Sequence, residues 1–289
     1  MQQFTIKDIE HLTGIKAHTI RIWEKRYAFF NPSRSDTNIR FYSTEEVILL
    51  LNVGLLNKYG FKISQIAEMP PPQREQNIEQ LDFNARNENL VNKLIMQMIM
   101  LDMDAYEQLL SAYILQNGTD DGINNIILPF LQKISLLRNE HHVHNAQEHL
   151  MFSVLRKKII AGILLLDNPG THTKTVLMFL HEDNHDDIDL LLMQYFIKQR
   201  GMHVIYLGTN VPVKDVLQIA SNKKPDYIYT MLNKEFTSLK ADKYLEKFSL
   251  LFNEYRVIIT GELFQRYEKN IPANIQLSTS ASEAMKSFL

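Results

Sequence analysis

Two spacings of apolar residues divide this chain and limit what it can fold into. Between residues 88 and 166 apolar positions recur three and four apart, as in Leu90, Leu94, Ile95, Met98 and Leu101, then Ile126, Ile127, Phe130 and Leu131, then Leu150, Val154 and Ile159. This is the stripe of amphipathic helices, and about four of them would pack as a bundle. After the turn Asn168-Pro169-Gly170-Thr171-His172 the pattern changes to short apolar runs, TVLMFL, HVIYLG, DYIYTML and RVIITG. Between them lie the amphipathic stretches DLLLMQYFIKQRG and VKDVLQIASNK. Short strands separated by helices predict a doubly wound parallel sheet.

The amino-terminal part reads differently. Residues 5–69 suggest short helices around one turn-rich loop, NPSRSDTN, with Thr5 and Thr44 as helix N-caps. The run Pro70 to Pro72 stops the last of these helices, and residues 73–92, rich in Gln, Asn and Glu, suit a solvated linker or an exposed helix start. The expected organisation is a first domain over 1–72, a linker over 73–92, a helical cap over 93–168 and the sheet domain over 169–289. A chain of 289 residues has the length for two or three compact units.

Composition removes several classes. With no cysteine there is no disulfide framework, thiolate chemistry or cysteine-ligated zinc, so any metal ligation falls to His, Asp or Glu. No stretch approaches the roughly 20 apolar residues of a membrane span, and MQQFTIKDIE lacks a signal-peptide pattern. The expectation is a cytoplasmic protein without a membrane partner. The net charge of −2 gives no overall attraction to nucleic acid, yet residues 1–42 hold seven Lys and Arg against four Asp and Glu.

Those cations are ordered. In HTIRIWEKRYAFFNPSRSDTNIRFYS, residues 18–43, helical spacing aims Arg21, Lys25 and Arg26 along one side toward phosphates, while His18 and Thr19 stand near the helix start, where base edges are read. Arg40 and Tyr42, past the loop, are placed to touch the flanking backbone or minor groove. Trp23 is expected to anchor helix to loop in the core, and Glu24 to partner a nearby arginine. The segment resembles the MerR family over about the first 70 residues. That resemblance implies a winged helix-turn-helix, with a turn at Gly14 and Ile15, a recognition helix beginning near Lys16 and a wing around Arg40, Phe41 and Tyr42. It implies a double-stranded DNA operator as partner. One recognition helix reads few base pairs, so a homodimer on a two-fold site is expected.

Beyond residue 88 the chain resembles the cobalamin-binding module of CarH-like and LitR-like photoreceptor repressors, which is similar to that of methionine synthase: a helical cap followed by a Rossmann-like domain. The cap resemblance centres on AQEHLMFSVLRKKI, where Glu148 and His149 correspond to the pair facing the upper side of the cofactor. Asp183-Asn184-His185 corresponds to the motif in which His185 becomes the lower cobalt ligand and Asp183 orients it. An imidazole held by a carboxylate suits that ligation. Thr230, Leu232 and Gly261 correspond to positions lining the nucleotide tail. Three positions depart from the pattern: Arg138 falls where the family has a cap tryptophan, Ile188 where it has a glycine, and Thr260 where the first of two glycines stands.

Three functions stay open on these grounds. One is a regulator in which cobalamin or light changes oligomeric state and so operator affinity; the resemblance implies that adenosylcobalamin drives dimers into tetramers that grip DNA and that light releases them. Another is a MerR-type regulator whose cobalamin fold serves dimerisation or partner binding without the cofactor. A distant third is a corrinoid carrier for methyl transfer. No nucleophile with its base and no glycine-rich phosphate loop follows the first strand, so the chain does not read as an enzyme. His141, His142 and His144 read as a solvated loop, HEDNHDD as an acidic loop before a helix that could also hold a divalent metal, and MQMIMLDM as pliable core.

Overall fold

In a computed structural model of the chain, the structure describes residues 4–27, 30–138, 145–166, 174–182, 187–232, 238–261, 264–265, 267 and 271–288. They form two compact units, Met1–Leu155 and Arg156–Leu289.

The first unit opens with β1 (Phe4–Thr5) and α1 (Ile6–Thr13). Thr5 caps α1 in a capping box with Asp8, as its position before the apolar repeat suggested. Gly14 ends α1 in the left-handed region at φ 71°, and its N–H donates to the Glu10 carbonyl at 2.8 Å. The chain then enters α2 (Ala17–Tyr27). Strands β2 (Ser33–Arg34) and β3 (Arg40–Tyr42) follow, and with β1 they make a small antiparallel sheet in the order β1-β3-β2. β2 thus lies inside the stretch expected to be loop throughout.

The next helix, α3 (Thr44–Lys58), is capped by Ser43 rather than Thr44. The capping box needs an acidic or amide side chain three residues on, and Ser43 has Glu46 there while Thr44 has Val47. α4 (Ile63–Glu68) ends before the prolines, which then open α5 (Pro71–Glu79) with Pro71 in its first turn, where a missing N–H costs nothing.

Of the two readings of 73–92, linker or exposed helix, the structure has helix: α5 and the start of α6 (Phe83–Met100), capped by Asp82. Gln, Asn and Glu solvate a helix face as readily as a coil. Both helices pack on α3, and Lys58 of α3 reaches Glu88 of α6 at 2.6 Å. α7 (Met103–Asn117), α8 (Thr119–Asp121), a π-helical turn (Gly122–Ile127), α9 (Leu128–Arg138) and α10 (Asn145–Leu165) complete the helical part. α9 also packs against α1, and Tyr106, Phe130, Ile95 and Met98 are buried among the helices. The boundary between the units falls inside α10, not at residue 168.

The second unit is a five-stranded parallel sheet: β4 (Thr175–His181), β5 (His203–Val211), β6 (Tyr227–Met231), β7 (Arg256–Thr260) and β8 (Ile275–Ser278). The spatial order is β5-β4-β6-β7-β8. Between the strands run α11 (Ile188–Gln199), α12 (Val213–Lys223) and α13 (Ser238–Leu251), and α14 (Ala281–Met285) ends the unit. Side chains alternate along each strand, so Val176, Met178 and Leu180 meet the layer containing Leu190, Met193 and Ile197, while Leu177 and Phe179 meet Val216, Leu245 and Phe248. The strand order reverses beside β4, which opens a crevice at the carboxyl ends of β4 and β6, the position where doubly wound sheets take ligands.

Candidate functional site

On the amino-terminal unit, α2 divides its side chains sharply. Ile20 and Trp23 are buried, whereas His18, Arg21, Ile22, Lys25 and Arg26 are exposed and Thr19 is half-buried. The helix therefore presents the three expected cations and His18 on its solvent side. Its entry angle is fixed by Glu10, whose carboxylate accepts the Ala17 N–H at 3.0 Å and the Lys16 ammonium at 3.1 Å. Those hydrogen bonds, the backbone one foremost, hold the Glu10 carboxyl below its ordinary pKa.

Glu24, on the inner edge of α2, clamps the wing. Its two oxygens accept Arg40 Nε at 2.7 Å and an Arg34 guanidinium nitrogen at 3.0 Å. The bond to Glu24 raises the Arg40 pKa further. Glu24 thus acts as the arginine partner the sequence suggested. Arg40 itself, with a side chain only 17% exposed, is a brace between wing and helix before it is a DNA contact.

Tyr42 corrects the sequence reading outright. It is fully buried, its ring 6.0 Å from that of Phe30, and its hydroxyl has no hydrogen-bond partner among the described residues. Burial first, then the charge of Glu24, pushes its pKa up to about 12. Residues 40 and 42 share one face of β3. That face turns toward α2 and the core, so the hydroxyl cannot reach a phosphate. Lys16, whose side chain is 82% exposed beside the start of α2, is a cation that the sequence reading passed over.

On the second unit the carboxyl edge of the sheet brings Thr230, Leu232 and Gly261 together. Thr230 is fully buried at the end of β6, and its hydroxyl lacks a hydrogen-bond partner among the described residues. The Leu232 N–H donates to the Thr260 carbonyl at 2.9 Å, and the Gly261 N–H to the Ser278 carbonyl at 3.0 Å. A Cβ on Gly261 would meet the Leu232 carbonyl oxygen at 3.0 Å and the Phe264 ring at 3.2 Å, so a side chain there would crowd both. Thr260 turns to the opposite layer, where its hydroxyl accepts from Tyr229 at 3.0 Å and lies 2.9 Å from that of Ser278.

His181, the first residue of the HEDNHDD segment, stands at the end of β4. Its ring lies 5.8 Å from that of Tyr244, and its Nδ1 lies 2.6 Å from the Glu182 carbonyl. Asp183 and His185 lie outside the described residues, as do His141, His142 and His144. Asp187, which precedes α11, is held by Arg156 through three hydrogen bonds of 2.7 to 3.0 Å. Ile188 is buried at 2% exposure. Glu148 and His149 stand on α10 in the first unit, half-buried and exposed respectively, next to Gln147, whose amide donates to the Ile99 carbonyl at 3.1 Å. Among the described residues no group of three or more His, Asp or Glu is placed to hold a metal ion, and no helix is long and apolar enough to cross a membrane.

A capped helix-turn-helix with a hairpin wing, the arrangement of a MerR-type head, is followed in this chain by helices and a Rossmann-like parallel sheet. Residues 4–70 match the family described as MerR HTH family regulatory protein. Two Myxococcus xanthus proteins are similar over most of the chain. One, named HTH-type transcriptional repressor CarA, is 26% identical over 254 residues, covering 82% of this chain and 81% of its own. The other, named HTH-type transcriptional repressor CarH, is 23% identical over 233 residues, covering 78% and 77%. Among solved structures, the monomethylamine corrinoid protein of Methanosarcina barkeri superposes with a TM-score of 0.55 at 14% identity, over 70% of this chain and 97% of its own. That likeness is one of fold.

Proposed function

We propose that this protein is a transcription regulator that sets α2 in the major groove of an operator as a homodimer, and that its second module takes a corrinoid which governs that binding. The observation that carries the DNA reading is the exposed face of α2. Arg21, Lys25 and Arg26 stand in solvent on the side opposite buried Ile20 and Trp23, with His18 and Thr19 at the leading end. Arg21, Lys25 and Arg26 would neutralise phosphates, His18 and Thr19 would read base edges, and the Glu24–Arg40 brace would fix the wing. The protein would work in the cytoplasm.

The corrinoid reading is supported at one point by the sheet edge. The buried Thr230 hydroxyl, unpartnered among the described residues, offers a polar contact to the buried tail of such a ligand, with Leu232 beside it. His185 would hold the metal and Asp183 would orient its ring. Bound there, a corrinoid would supply a cobalt centre for His185 to hold. The fold shared with the monomethylamine corrinoid protein supports the corrinoid reading, and the matched transcriptional repressors support the regulator reading.

A second reading, a cofactor-independent interaction module, is favoured by Phe264 lying against Gly261 and by the buried Ile188 at the mouth of α11. A visible absorption spectrum after dark incubation with adenosylcobalamin and methylcobalamin, followed by gel filtration, separates the two. Retained corrinoid with a histidine-on spectrum that His185→Ala abolishes supports the first reading. Failure to retain either corrinoid supports the second.

A further inference from the structure

We infer that Ile22 is a specificity-determining residue of the DNA interface, which selects thymine in the operator by apolar contact with its C5-methyl group. The inference deepens the DNA reading above and rests on it. At about 100° per residue along α2, Ile20 and Trp23 mark the buried side of the helix. His18, four residues before Ile22, and Lys25, three after it, share one stripe with it along the middle of the opposite face. Arg21 and Arg26 flank that stripe on either side. Ile22 is 43% exposed there, so a branched apolar side chain stands in solvent within a frame of cations.

The wing lies on another side of the helix. Glu24, which clamps it, follows Ile22 by two residues and so projects from nearly the opposite side of α2. The apolar surface that Ile22 leaves in water is recovered only when something covers it, and a duplex laid on this face would do so. Isoleucine carries no donor or acceptor, so it reads no base by hydrogen bonding. The apolar group that distinguishes a base in the major groove is the thymine methyl. β-Branching holds the Ile22 χ1 in one strongly preferred helical rotamer, so its own methyls are placed before DNA arrives and little ordering entropy is lost on contact. The cations around it would fix the register in which that contact falls, since phosphate contacts position the helix while carrying no sequence information.

The test uses the full-length protein and duplexes selected from a random pool in the dark, with and without adenosylcobalamin. Each thymine of one half-site is replaced in turn by deoxyuridine, which keeps every hydrogen-bonding group and removes only the methyl. Replacement at the contacted position is expected to weaken wild-type binding about 4-fold, the effect of losing about one buried methyl group. Ile22→Ala should bind the unmodified duplex more weakly and lose the response to that deoxyuridine. It should keep the slope of log affinity against log salt, because it removes no cation. Circular dichroism melting checks the fold of the variant, and the wild-type response to deoxyuridine stands independently of it. A wild-type protein that binds its selected duplex and responds to deoxyuridine at no thymine, or a folded Ile22→Ala that responds as strongly as the wild type, overturns this inference alone. A wild-type protein that enriches no duplex overturns the DNA reading and the inference with it.

Discussion

Arg40 Nε donates to Glu24 Oε2 at 2.7 Å, with both side chains largely enclosed, and this bond ties the wing to the recognition helix. Charge-assisted hydrogen bonds of this kind contribute about 1.5–3 kcal/mol. Glu24→Gln should therefore lower the stability of the amino-terminal unit by about 2 kcal/mol. It should also weaken DNA binding although Glu24 touches no DNA, because Arg34 and Arg40 are released together. Chemical denaturation and a DNA titration of the same variant check both effects.

Arg21→Ala with Arg26→Ala removes two exposed cations from α2. Affinity should fall for all sequences alike, and the slope of log affinity against log salt should shrink by about 2, near one for each phosphate left without its cation. An unchanged slope would remove these residues from the interface.

Tyr42→Phe tests the correction to the sequence reading. Deleting a buried hydroxyl that has no partner among the described residues removes a desolvation cost. The variant should bind DNA as the wild type does and melt at the same or a higher temperature. Weakened DNA binding with intact stability would restore Tyr42 as a contact.

Much of the architecture was legible where local chemistry and tertiary packing agree. Thr5 before an apolar repeat, Gly14 at the turn, and the limits of VKDVLQIASNK all mark real helix ends. The sequence left the choice open where one pattern serves two structures. Residues 73–92 look solvated, and they are, but as faces of α5 and α6 whose other sides, through Ile78, Ala85 and Val91, are buried. β8 escaped notice because it has four residues and exposes Gln276, so no apolar run announces it. Tyr42 was misplaced because the loop before it suggested exposure, when strand alternation beside Phe41 decides its side. Arg156 and Asp187 are 31 residues apart, and no local signal joins them.

The Glu10 carboxylate predicts acid sensitivity of the head. Its folded-state pKa lies below its unfolded value because it accepts the Ala17 N–H and the Lys16 ammonium. Stabilisation from these bonds is complete above the unfolded glutamate pKa of about 4.3 and is lost as pH falls through the lower folded value. Thermal melts between pH 7 and pH 3 should show this loss in the wild type and a shallower decline in Glu10→Gln.

Corrinoid control of operator binding is tested most directly by fluorescence anisotropy on a duplex selected from a random pool, in the dark, with and without adenosylcobalamin. Coupling of ordinary size, about 1–3 kcal/mol, separates the two affinities by about 5- to 150-fold, and His185→Ala should abolish the separation. Equal affinities with and without adenosylcobalamin in the wild-type protein would contradict it.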